Sequence, residues 1–83
     1  MIWSKHEVEL EKMVQMLTND MMWEQLNEME VGKVAALKML RDIRDSIQGI
    51  ESDVQTAIIG LKIYEKLADI RKIIDTRWEQ MTG

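Results

Sequence analysis

Apolar residues recur along this chain at intervals of three and four, the period of one face of an α-helix. In the first third the series is Leu10, Met13, Val14, Leu17, Met21, Met22, Leu26 and Met29. It opens at a capping box, Ser4-Lys5-His6-Glu7, in which each side chain can satisfy the other residue's free backbone N–H. Trp3 and Val8 stand on either side of that box, where a hydrophobic staple would close. Thr18-Asn19-Asp20 interrupts with three poor helix formers, yet the apolar stripe crosses them in phase. The pattern predicts one helix over about residues 5–30, with a break at 18–20 as the alternative. Val31-Gly32 then offers a turn, because Gly is favoured just past a helix end.

The longer pattern follows. Ala36, Leu40, Ile43, Ile47, Ile50, Val54, Ala57, Leu61, Tyr64 and Ala68 alternate spacings of four and three without a fault. A heptad seam of that length is a coiled-coil signature, and it predicts a second helix over about residues 33–81. Gly49 and a second capping box, Ser52-Asp53-Val54-Gln55, mark an alternative kink or turn near 49–52. Beyond Tyr64 the stripe moves to Leu67, Ile70, Ile74, Trp78 and Met81, with Ile59, Ile63 and Ile73 widening it. So broad an apolar arc needs more than one neighbouring helix to cover it. On the opposite faces, Arg41 with Asp45 and Arg71 with Asp75 have the spacing of i,i+4 ion pairs.

The expected fold is therefore all-α: a single domain, 1–83, built as a long helical hairpin that associates into an oligomeric coiled-coil-like bundle. Composition supports the association. Eighty-three residues bury only about 60–65% of the surface their unfolded chain exposes. Small domains compensate with disulfides, a metal or partners, and this chain has no Cys and one His. A homo-oligomer, at least a dimer, is the remaining route, with Leu40, Ile43, Ile47, Ile50, Val54, Ala57, Leu61 and Tyr64 as its seam. The absence of Pro removes any obligatory helix break.

The net charge of −4 is unevenly placed. Residues 1–30 hold two Lys against seven acids, a net of −5, and the rest hold nine bases against eight acids, a net of +1. Nucleic-acid affinity needs a basic stripe, and the one basic cluster, Lys62, Lys66, Arg71, Lys72 and Arg77, is offset by Glu65, Asp69 and Asp75. A helix-turn-helix would pair a helix ending near Gly49 with one starting at Ser52. Its recognition helix would open Asp53-Val54-Gln55-Thr56-Ala57, with little positive charge for phosphates. The apolar run 57–61 stops at Lys62, far short of the roughly 20 residues of a membrane span. No apolar stretch follows the first residues as it would in a signal peptide, so the expected location is cytoplasmic.

Chemistry is sparse. There is no thiol and no glycine-flanked Ser, and His6 sits among acids in a first helical turn, where it is expected to be solvated. Glu7/Glu11 and Glu24/Glu28 are spaced i,i+4, and no Glu-x-x-Glu or Glu-x-x-His pair occurs to gather a metal. No catalytic, metal or cofactor residue is nominated. Instead, Met13, Met16, Met21, Met22 and Met29 crowd one stretch, and methionine lines adaptable binding surfaces as well as cores. Met16 and Met22 fall off the line through Leu10, Met13, Leu17 and Met21. With the neighbouring Trp23 they are the candidate partner-binding face. The function expected is a non-enzymatic protein-protein interaction module, a self-associating accessory factor or inhibitor of a larger assembly that binds a heterologous protein. The alternative is a small dimeric DNA-binding regulator.

Overall fold

A computed structural model describes the backbone of residues 2–57 and 61–83, and the side chains of residues 6–53 and 63–83. The described residues form four helices: α1 (Ile2–Leu17), α2 (Asp20–Asn27), α3 (Glu30–Ala57) and α4 (Leu61–Thr82). No strand occurs among the described residues. Each of the two expected helices is thus two. The stretch 5–30 is divided at Thr18-Asn19, and the stretch 33–81 is α3 followed by α4 packed back against it.

Helix directions follow from the side chains that meet. The Arg71 guanidinium contacts Glu51 at 2.6 Å, and Arg41 lies 5.5 Å from the Trp78 ring centre, so α4 runs antiparallel to α3. Lys66 pairs with Glu11, and Arg77 Nε donates to the Leu17 carbonyl oxygen at 2.8 Å, so α1 runs parallel to α4. Twenty-eight residues of α3 at 1.5 Å each span about 42 Å, the longest dimension of a 42 × 18 × 16 Å molecule. The 16 residues of α1 and the 8 of α2 lie end to end along that length. The result is a three-stranded bundle with one strand broken. Neither expected i,i+4 pair forms as such: Arg71 reaches across to Glu51, and Arg41 covers Trp78.

The α3 positions expected as an oligomer seam are covered within the chain itself where their side chains are described. Ala36, Leu40, Ile43, Ile47 and Ile50 are buried by the chain's own helices. Val54, Ala57 and Leu61 lie outside the described side chains. Tyr64 is exposed, contrary to its place in the seam, and Ala68 with it. The phase restarts in α4, whose inward positions are Ile63, Leu67, Ile70, Ile74 and Met81. From α1 and α2 come Leu10, Leu17 and Trp23.

Gly49 and Ser52 do not interrupt α3, which passes through both without a turn. The Ser4 capping box also does not open a helix, because α1 already begins at Ile2. At Gly32 the glycine is required: a Cβ there would run into the Leu26 carbonyl oxygen, where the chain leaves α2 for α3.

Candidate functional site

The break at 18–19 decides where the nominated binding face goes. Thr18 Oγ1 donates to the Val14 carbonyl oxygen at 2.7 Å and closes the end of α1. Asn19 Oδ1 accepts from the Met22 amide at 3.3 Å and caps α2. Across this break the apolar stripe does not continue in phase. Met21, on the expected core line, is 70% exposed, while Trp23 is fully buried. Its indole N–H donates at 2.9 Å to the Met16 carbonyl oxygen, which also accepts from the Asn19 amide at 3.3 Å at the end of α1.

Trp23 is therefore core and not an exposed anchor, which corrects its place in the partner-binding face. Met16 and Met22 are half-buried and pack against the core beside it. The three residues come together as an inner wall.

Arg77 holds that wall. It donates Nε to the Leu17 carbonyl oxygen at 2.8 Å and Nη2 to Asp20 at 2.5 Å, with Nη1 on Gln80 at 3.0 Å. Its guanidinium carbon lies 5.5 Å from the Trp23 ring centre, within cation–π range. One side chain from α4 thereby joins the end of α1, the first turn of α2 and the buried indole.

Three basic residues of α4 are engaged in this way across the bundle. Lys66 pairs with Glu11, Arg71 with Glu51 and Arg77 with Asp20, so each cation ties α4 to a different helix. The helix-turn-helix alternative also loses its geometry, since no helix ends at Gly49 and none begins at Ser52.

His6 is buried and not solvated. Its Nε2 lies 3.5 Å from Asp53 and its Nδ1 3.7 Å from Glu9, and Nδ1 has no hydrogen-bond partner. Among the described residues no group of three or more His, Asp or Glu converges as metal ligands would. A cavity of about 90 Å³ between α3 and α4, floored by Leu40 and Ile74 and rimmed by Arg41, Arg44 and Trp78, is small beside the roughly 300–1,000 Å³ of ligand sites.

A cluster of exposed apolar side chains lies elsewhere. Val31 is 78% exposed, Val34 68% and Met29 62%. Val31, Val34 and Ala35 stand three and four residues apart on one face of α3, lining a shallow groove bounded by Glu30 and Lys38. At 100° per residue, Val34 is turned about 160° away from Ala36, so this face points away from the core. The signal for it was in the sequence, as a short apolar stripe out of phase with the seam.

Among the described residues no helix is long and apolar enough to cross a membrane. Comparison with known proteins gives no match to a family model, a curated protein or a solved structure.

Proposed function

We propose that this chain is a non-enzymatic interaction protein, a small helical module that associates with itself and acts as an accessory factor or inhibitor of a larger assembly. The observation that carries this reading is the apolar face at the start of α3. The α3 seam from Ala36 to Ile50 is closed by the chain's own helices, so the surplus apolar surface is not left over from an unfilled interior. It is a separate stripe on the opposite side of the helix, rimmed by one acid and one base. Clustered exposed apolar side chains with a polar rim mark contact surfaces.

Sedimentation equilibrium tests the reading. The mass is expected to rise above the 9.8 kDa of one chain as concentration increases. Val34→Glu should return it to that value with helicity and the urea midpoint unchanged, because Val34 lies outside the core. A wild-type mass that stays at one chain up to about 1 mM, where contacts of roughly −4 kcal/mol already show, would overturn the proposal.

A further inference from the structure

We infer that two copies meet through this face about a two-fold axis, α3 antiparallel to α3, with Glu30 of each copy across from Lys38 of the other. The inference rests on the self-association proposed above and adds its partner surface, direction and register.

A two-fold contact must be complementary to itself. Glu30 and Lys38 lie at the two ends of the groove and carry opposite charges. Each is four residues from Val34, about 6 Å along the axis at 1.5 Å per residue. Parallel pairing would set Glu30 against Glu30 and Lys38 against Lys38. Antiparallel pairing centred near Val34 sets acid against base at both ends and opposes the two helix dipoles. The small Ala35 beside Val34 permits the close axial approach that helix pairs need, roughly 8–10 Å.

Glu30 is available for the contact. Within the chain it meets Lys33 at 3.5 Å in a solvent-exposed i,i+3 pair, and its side chain is almost wholly accessible. Rim pairs of this kind set register and orientation more than affinity. A few side chains on three helical turns make a small interface, so the dimer exchanges rapidly and weakens with dilution.

The test is a sedimentation series on the full chain with Glu30→Lys, Lys38→Glu and the double variant E30K/K38E. Each single reversal places like charges at both ends and is expected to weaken dimerisation roughly tenfold at low salt. The double variant restores opposite charges and should recover wild-type affinity to within about threefold. Both positions of change are at the surface, and circular dichroism should show wild-type helicity. Two results would overturn the inference while leaving the proposed function standing. One is association that persists unchanged in both single variants yet vanishes in Val34→Glu; the other is a double variant no better than the singles. A wild-type chain that remains monomeric removes both.

Discussion

Residues 18–20 and residues 49–52 carry similar helix-breaking chemistry, and the chain responds to them differently. Thr18-Asn19-Asp20 separates α1 from α2, whereas Gly49 and Ser52 lie inside an unbroken α3. Ending a helix orphans up to four carbonyls behind the break and four amides ahead of it. At the first site those groups have partners. Trp23 donates to Met16, Arg77 donates to Leu17, and Asn19 accepts from Met22. At the second site the neighbours Ile47 and Ile50 are both buried, and a straight helix is what keeps both inward. A mid-helix Gly costs only about 1 kcal/mol, less than orphaning a turn of backbone. Breaker residues therefore permit an interruption; partners elsewhere in the fold decide whether it occurs.

The sharpest way to break the contrast is to remove the indole. Trp23→Ala deletes a fully buried side chain and the hydrogen bond to Met16, at a cost of about 3–5 kcal/mol. For a chain of this size that is a large part of a total of roughly 4–12 kcal/mol. Urea unfolding measures it, and Trp23→Phe gives a milder variant should the first fail to fold. A loss under about 0.5 kcal/mol, the range of surface changes, would mean that Trp23 is an exposed anchor after all.

Arg77→Met is next. It keeps the aliphatic stem while removing the donors to Leu17, Asp20 and Gln80 and the charge over Trp23. Charge-assisted hydrogen bonds are worth about 1.5–3 kcal/mol each where shielded, but Asp20 is exposed, so about 2–3 kcal/mol in all is expected. Amide exchange should accelerate first in α2, the helix left without its tie. If stability and exchange are unchanged, Thr18 and Asn19 fix the break by local capping alone, and the comparison loses its tertiary half.

These two residues also show what could be read from sequence and what could not. Helical type, the α3 stripe from Ala36 to Ile50 and the α4 stripe from Leu67 to Met81 were legible, because periodicity is local and burial follows it. The break at 18–20 was visible only as an alternative, since the residues that stabilise it include Arg77 near the other end of the chain. Trp23 consequently moved from candidate surface to core, and Met21 moved out. Tyr64 was assigned to a seam that assumed one continuous phase, whereas α4 starts its own. The face at Val31 and Val34 was missed for a different reason: two valines and an alanine are too few to compete with a long heptad pattern.

The smallest expected effect lies at Gly49. It is exposed in the middle of α3, its φ is outside the left-handed region, and an added Cβ would meet nothing within 4 Å. Ala removes the conformational freedom that glycine brings to the unfolded chain, and no native contact has to move to admit the methyl. Gly49→Ala should therefore stabilise the protein by about 1 kcal/mol, seen calorimetrically as a rise in Tm of about 4–8 °C. The sign matters more than the size. Were 49–52 a hinge that opens in solution, a residue favouring the straight helix would suppress it, and amide exchange around Gln48 and Ile50 would slow by far more than global stability rises. Equal changes in both, about fivefold in exchange for each kcal/mol, are what an already continuous α3 requires. That equality would leave 18–20 as the place where breaker residues and distant partners act together.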